Sequence, residues 1–161
     1  METITLQVFS FDELDEEAKE KAINLYREKR YYAWLDESRD SIKAFCKRFR
    51  ARLDNWQVDS FNYSFDVSVD NSNFRGLKLR DFSRDHMPTG YCLDCDLWQT
   101  FYDFFKLTGS AKLAFDQALH AGFAAWRDDL SYQDGEEFLA EELICNDYRF
   151  FSDGTEYKGA R

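Results

Sequence analysis

Residues 61–70 read Phe-Asn-Tyr-Ser-Phe-Asp-Val-Ser-Val-Asp, with an apolar side chain at every second position. A period of two places the apolar side chains on one face of a β-strand, so the pattern predicts a half-buried strand within residues 58–70. Turn-forming residues follow at positions 70–73, and Leu77 and Leu79 suit a returning strand. We therefore expect an antiparallel hairpin in a chain whose remaining periodicity is mostly helical.

The N-terminal region carries a second set of local signals. Ile4, Leu6 and Val8 alternate with polar residues and predict a short strand. Ser10 and Glu13 then form a capping-box pattern, which predicts a helix that ends near residue 29. Several carboxylates stand at the start of this helix, where they complement the positive end of the helix dipole.

A second helix is predicted over residues 32–53 by apolar side chains at spacings of three, four or seven. Its outer face carries a basic stripe at Arg39, Lys43, Lys47 and Arg50, because these residues recur every three or four positions.

The rest of the chain predicts three more helices and a closing hairpin. The helices cover residues 93–107, 111–130 and 135–145, and the hairpin turns at Gly154. We expect an α+β fold, with a small antiparallel sheet packed against about five helices, as one domain over residues 1–161. Of the 161 residues, 44% are apolar and 18% aromatic, which favours a core rich in rings.

The net charge limits the class of partner, and the first residues indicate the cellular compartment. The net charge is -10, although residues 19–52 are basic. An acidic surface repels nucleic acid and attracts basic proteins, so the expected partner is a basic or nucleic-acid-binding protein, without direct nucleic-acid or membrane binding. The first residues show neither the basic nor the apolar part of a secretory signal, so we expect a cytoplasmic protein with reduced cysteines.

The cysteines leave two interpretations open. Cys92 and Cys95 form the sole CxxC, and a structural zinc site needs two further ligands. His86, Cys46 and Cys145 are candidates, but they form no second close pair. The favoured interpretation is inert thiols without a cofactor. The alternative is a small zinc protein or enzyme centred on Cys92 and Cys95.

Enzyme motifs are absent from the sequence. It contains no P-loop, no G-x-G-x-x-G and no H-E-x-x-H, and neither His86 nor His120 stands beside a nucleophile elbow. Paired carboxylates are too frequent to single out a catalytic pair. The sequence therefore predicts a protein that is not an enzyme and has no catalytic residue.

Acidic side chains on the C-terminal helices suggest a different role. Carboxylates repeated on helical faces can imitate the phosphates of a nucleic acid and attract a nucleic-acid-binding protein. The candidates for such a partner-binding patch cluster near a predicted helix junction: Asp128, Asp129, Asp134, Glu136 and Glu137.

Residues 8–22, Val-Phe-Ser-Phe-Asp-Glu-Leu-Asp-Glu-Glu-Ala-Lys-Glu-Lys-Ala, resemble the opening of a widespread family of small phage and prophage proteins, sometimes labelled antitoxin-like. Trp34, the aromatic strand at 61–65 and the closing segment at 143–154 are similar to later parts of that family. The resemblance implies a phage accessory protein and no catalytic residues.

These observations predict a phage-encoded accessory protein that acts in the host cytoplasm. It is expected to bind and inhibit a host protein that belongs to a defence system, such as a CRISPR complex or a restriction enzyme. The alternative binding function is an antitoxin that neutralises a cognate toxin by direct contact.

Overall fold

The computed structural model describes residues 5–159, and over these residues the chain is an α+β protein with five α-helices and two antiparallel strand pairs. The predicted fold class is therefore confirmed. The helices are α1 (Glu16–Lys29), α2 (Leu35–Arg48), α3 (Leu93–Thr108), α4 (Ala111–Gln133) and α5 (Glu136–Cys145). The strands are β1 (Phe9–Ser10), β2 (Arg52–Val58), β3 (Tyr63–Ser68) and β4 (Arg149–Phe150).

The chain divides into two compact units. The terminal unit consists of the described residues up to Tyr32 and from Tyr132 onward, and the central unit is Ala33–Ser131. α4 begins in the central unit, and its last two residues belong to the terminal unit. The expectation of a single domain stays a prediction. Within residues 5–159, no helix is long and apolar enough to cross a membrane.

Two successive caps start the terminal unit. The backbone N–H of Ser10 donates to the carboxylate of Glu13 at 2.8 Å, so the predicted capping box is present, but it closes a single 3₁₀ turn at Phe11–Glu13. Asp15 caps α1 itself by accepting a hydrogen bond from the backbone N–H of Ala18 at 2.8 Å. α1 then ends where the sequence predicted.

The core of the terminal unit lies between α1 and α5 and is completed by the strand pair. β1 pairs antiparallel with β4, which places Phe9 opposite Phe150. The buried apolar side chains are Phe11, Leu14, Ala18, Ala22, Ile23, Leu139, Leu143 and Phe150.

The observed N-terminal strand begins later in the chain than the predicted one. Pairing begins only at Phe9, whereas Leu6 and Val8 are exposed and lie outside any strand. Ile4 lies outside the described residues. The reason is that β4 supplies just two residues, so only the matching two of the N-terminal segment find a partner.

The closing segment returns against α1 through the predicted glycine turn. The backbone N–H of Phe151 donates to the carbonyl of Thr155 at 2.8 Å, and Gly154 turns the chain with a φ of +79°. A Cβ on Gly154 would stand 2.1 Å from the carbonyl oxygen of Ala18, so no other residue fits there without movement.

Aromatic rings form the core of the central unit. Phe45 of α2 stacks on Phe115 of α4 with 5.5 Å between ring centroids, and it meets Trp98 of α3 edge-on at 5.0 Å. Phe49 follows α2 and contacts Phe101 at 4.9 Å. Because burying each such ring contributes roughly 1.5–3 kcal/mol, this cluster holds the three helices together.

The hairpin of the central unit has the predicted face but a different partner strand. Phe65 stacks on Phe123 of α4 at 4.6 Å, and Trp56 contacts Trp126 at 5.2 Å, so the apolar side chains within β3 do face the core. Phe61, the first residue of the predicted pattern, precedes β3 and is 89% exposed. β3 pairs with β2, which precedes it, and the predicted return strand at residues 77–79 was wrong.

β2 was not predicted, because the apolar spacing that indicates α2 continues past the last residue of that helix. The helix ends at Arg48, and Arg50 then takes a left-handed conformation with a φ of +53°. The backbone N–H of Ala51 donates to the carbonyl of Cys46 at 2.9 Å and closes the helix. Leu53, predicted as the last helical residue, belongs to β2.

Candidate functional site

The structure separates the five predicted partner-binding residues between the two units. Asp128 and Asp129 lie in the part of α4 that belongs to the central unit. Asp128 forms an ion pair with the neighbouring Arg127 at 2.6 Å. Burial raises the pKa of Tyr91 to about 12, and the negative charge of nearby Asp129 adds to that shift. Both carboxylates thus interact inside their own unit.

Asp134 belongs to the terminal unit and is occupied by internal contacts. Its Oδ2 accepts a hydrogen bond from the hydroxyl of Tyr32 at 2.8 Å, and its backbone carbonyl accepts one from Arg27 at 3.2 Å. Its Oδ1 lies 3.7 Å from the guanidinium of Arg30. A carboxylate held in this way supports the chain between α4 and α5 and offers little to a partner.

Glu136 and Glu137 line a groove between α1 and α5, and we call it the acidic groove. Its volume is about 470 Å³. Its floor is apolar, from Phe11, Ile23 and Ala140. Its walls carry one lysine and four carboxylates, and these residues are Lys19, Glu16, Glu20, Glu136 and Glu137.

The carboxylates of the acidic groove are largely uncompensated. Lys19 pairs with Glu16 at 3.1 Å, whereas Glu20, Glu136 and Glu137 form no ion pair within residues 5–159. The charges have a local reason, since Glu16, Glu136 and Glu137 stand in the first turns of α1 and α5 and complement the helix dipoles. The packing of the two helices then brings these charges to one surface.

Two of the four carboxylates of the acidic groove were predicted from the sequence. Glu136 and Glu137 were predicted as partner-binding residues. Glu16 was interpreted only as a complement of the α1 dipole, and Glu20 was not singled out. The available signal was the amphipathic pattern of α1 and α5, which predicts that their apolar faces pack but not that they pack on each other. That pairing joins segments more than a hundred residues apart.

The carboxylates of the acidic groove are exposed but are not arranged as a metal site. Within residues 5–159, no group of three or more His, Cys, Asp or Glu side chains is arranged to hold a metal ion. A set of separate carboxylates over an apolar floor can attract a basic segment and bury its apolar face.

Within residues 5–159, neither Cys92 nor Cys95 belongs to a group of three or more side chains that could hold a metal ion. Cys92 is the exposed residue that precedes α3, and Cys95 contacts Met87, with 3.3 Å between the sulfur atoms. Cys46 is buried in the core of the central unit, and His86 packs edge-on against Trp98 at 4.7 Å. Cys145 is the last residue of α5 and is exposed.

Thiol labelling should separate these cysteines. Burial raises the pKa of Cys46 to about 12, so at pH 8 its thiolate fraction is roughly a thousandfold lower than that of an ordinary thiol. We expect iodoacetamide to modify Cys92 and Cys145 in the native protein and Cys46 only after denaturation, as followed by peptide mass spectrometry. Equal rates for Cys46 and Cys92 would contradict this burial, and faster labelling of Cys92 with a chelator would favour the zinc alternative.

The basic stripe of α2 is only partly open to a partner. Arg39 pairs with Asp36 at 2.8 Å, within the same helix. Lys43, Lys47 and Arg50 are exposed and form no ion pair within the part of the chain that the structure describes. With a net charge of -10, three cations are a small local exception to an acidic surface.

Comparison of the chain with protein-family models, with curated proteins and with solved structures finds no match. The resemblance to small phage proteins therefore stays a prediction that rests on its quoted residues.

Proposed function

We propose that this chain is a phage-encoded accessory protein that binds and inhibits a basic host protein, and that the acidic groove is its contact surface. The observation that carries the proposal is the set of uncompensated carboxylates at Glu20, Glu136 and Glu137 above an apolar floor. The phage origin is what the resemblance of residues 8–22 implies.

The acidic groove suits an amphipathic, positively charged segment of a partner. Lysine or arginine side chains of that segment would meet the groove's carboxylates, and its apolar side chains would cover Phe11, Ile23 and Ala140. Complementary charge increases the association rate and excludes acidic partners, while the buried apolar area supplies affinity. Both contributions are needed, because exposed ion pairs alone stabilise a complex by about 1 kcal/mol or less each.

Defence enzymes that handle nucleic acid are the favoured targets. Such proteins present basic surfaces to phosphates, and an acidic protein that occupies one of these surfaces blocks substrate binding. A CRISPR complex or a restriction enzyme fits this description. Inhibition would then need no catalytic residue in the inhibitor.

Affinity capture from a bacterial host lysate tests this function. We expect the tagged protein to retain one partner in near-equal amount at moderate salt, and to lose it as the salt concentration rises. The purified partner should also lose nucleic-acid binding when one equivalent of this protein is added. If no partner is retained at any salt concentration, the proposal fails. If the retained partner is a toxin encoded beside this gene, the antitoxin alternative replaces it.

A matched pair of variants tests the groove itself. The triple change Glu20→Gln, Glu136→Gln and Glu137→Gln should weaken capture roughly tenfold or more, because it removes the three uncompensated charges. The control changes Glu28, Glu37 and Glu141 to glutamine, which alters the net charge equally at exposed positions outside the groove. Equal capture by the two variants would show that total charge, and not the groove, attracts the partner.

A further inference from the structure

A second cavity of the terminal unit lies between α1, α5 and the closing segment, and we call it the Arg30 cavity. Its volume is about 280 Å³, just below the usual range for ligand pockets. Four apolar side chains line it, and these are Ala22, Leu25, Leu143 and Phe150. The other lining side chains are polar or charged, and they are Tyr26, Lys29, Arg30, Tyr31, Glu142, Tyr148 and Glu156.

The guanidinium of Arg30 is buried beside this cavity with unused hydrogen-bonding capacity. Its side chain is 5% exposed, and Nε and Nη2 have no hydrogen-bond partner within residues 5–159. Asp134 and Glu142 lie 3.7 and 3.8 Å away, which balances the charge but is too long for hydrogen bonds. Nε and Nη2 are inaccessible to solvent, so a ligand in the cavity would meet the guanidinium at Nη1, which lies 3.8 Å from Glu142.

A carboxylate and two tyrosines also line the cavity, and they are Glu142, Tyr26 and Tyr148. The hydroxyl of Tyr26 donates to Oε2 of Glu142 at 2.9 Å, and the ring of Tyr148 meets the ring of Tyr26 edge-on at 5.4 Å. Burial, together with the hydrogen bond to Glu142, raises the pKa of Tyr26 well above its usual value, so this phenol stays a neutral donor. Glu142 keeps 35% of its side chain exposed and can accept further hydrogen bonds.

The charged groups of the lining are balanced in number. Lys29 and Arg30 contribute two positive charges, and Glu142 and Glu156 contribute two negative charges. A simple anion would be attracted by the two positive side chains and repelled by the two negative ones. A simple cation would be attracted by the negative side chains and repelled by the positive ones. A ligand that carries both charges can satisfy both pairs at once.

We propose that the Arg30 cavity binds a small zwitterion with an apolar body, of which a free apolar or aromatic α-amino acid is the simplest example. The ligand carboxylate accepts hydrogen bonds on the side of Arg30 and Lys29. The ligand ammonium donates to Glu142 and Glu156, and the side chain covers the apolar lining. This site is separate in its residues from the acidic groove, and its function goes beyond the binding of a host protein.

Three related compounds test the charge requirement by isothermal titration calorimetry at neutral pH. L-phenylalanine carries both charges, N-acetyl-L-phenylalanine only the carboxylate, and L-phenylalaninamide only the ammonium. We expect saturable binding of L-phenylalanine, and binding roughly tenfold or more weaker for each analogue, because each loses one set of charged hydrogen bonds. Equal binding of the three compounds, or no saturable binding of L-phenylalanine, would overturn the proposal.

Two variants locate the binding within the cavity. Glu142→Gln should weaken L-phenylalanine roughly tenfold or more, because it removes an acceptor of the ammonium group. It should not weaken N-acetyl-L-phenylalanine, which has no ammonium group and is repelled by the Glu142 carboxylate. The control Glu141→Gln changes a neighbouring exposed residue of α5 that does not line the cavity, and should bind as the parent does. Unchanged affinity in Glu142→Gln would overturn the assignment of the site. Partner capture depends on a different set of residues, so either proposal can fail while the other stands.

Discussion

Replacing Gly154 by alanine is expected to destabilise the terminal unit by about 2–5 kcal/mol. About 1–2 kcal/mol comes from holding a residue with a Cβ at a φ of +79°. The remainder comes from the carbonyl oxygen of Ala18, which would lie 2.1 Å from the new Cβ and must move. Because that oxygen belongs to α1, the closing segment must separate from the helix.

Hydrogen exchange read by mass spectrometry measures this loss locally. Peptides from α1 and α5 should exchange faster in Gly154→Ala, since these helices form the core of the terminal unit. The control is Gly109→Ala, at a φ of +68° with no atom within 4 Å of the added Cβ, which should cost only the backbone part. Equal losses of stability in the two variants would show that the contact with Ala18 relaxes freely.

Replacing Asp94 by alanine is expected to destabilise the central unit by about 1.5–3 kcal/mol. Asp94 is fully buried, and its Oδ2 accepts hydrogen bonds from the backbone N–H groups of Thr89 and Gly90 at 2.9 and 3.0 Å and from the Thr89 hydroxyl at 2.9 Å. The hydroxyls of Thr89 and Ser41 lie 2.9 Å apart, so the network joins α2 to the start of α3. Alanine would remove the charged acceptor of these three hydrogen bonds, and the exposed donors of Thr89 and Gly90 would then turn to water.

Tryptophan fluorescence during urea unfolding follows this effect, because all four tryptophans belong to the central unit. They are Trp34, Trp56, Trp98 and Trp126. Asp94→Asn keeps an acceptor oxygen and should lose less stability than Asp94→Ala, since its hydrogen bonds are no longer charge-assisted. Asp96→Ala changes an exposed residue in the same turn of α3 and should lose little. A loss in Asp96→Ala as large as in Asp94→Ala would contradict the role of the buried network.

The two pairs of variants also test the expectation of one domain. If the terminal and central units unfold together, Gly154→Ala will shift the tryptophan transition as well as the exchange of α1. If they unfold separately, the tryptophan transition will stay in place. The single-domain prediction fails in the second case.

The paired carboxylates illustrate what a sequence pattern leaves open. Asp94 and Asp96 look alike in the sequence, yet one is a buried acceptor for a loop and the other is exposed. Asp134 was grouped with Glu136 and Glu137, and it is engaged by Tyr32 while the two glutamates line a groove. The difference depends on which backbone and side chains arrive from distant parts of the chain.

The sequence by itself determined the local elements of this protein. The capping box at Ser10, the stop at Gly109 and the turn at Gly154 all lie where predicted, because each depends on contacts within a few residues. The alternating face of β3 was also readable, since a period of two needs no knowledge of the partner strand.

Only the tertiary structure decided where α2 stops, which strand pairs with β3, and how the acidic groove and the Arg30 cavity form. Arg50 ends α2 in a left-handed conformation without the glycine that usually signals it. The groove and the cavity combine α1 with α5, whose residues lie more than a hundred positions apart. Amphipathic patterns predict that such faces are buried, but many partners satisfy an apolar face equally, and the choice follows from packing the whole unit.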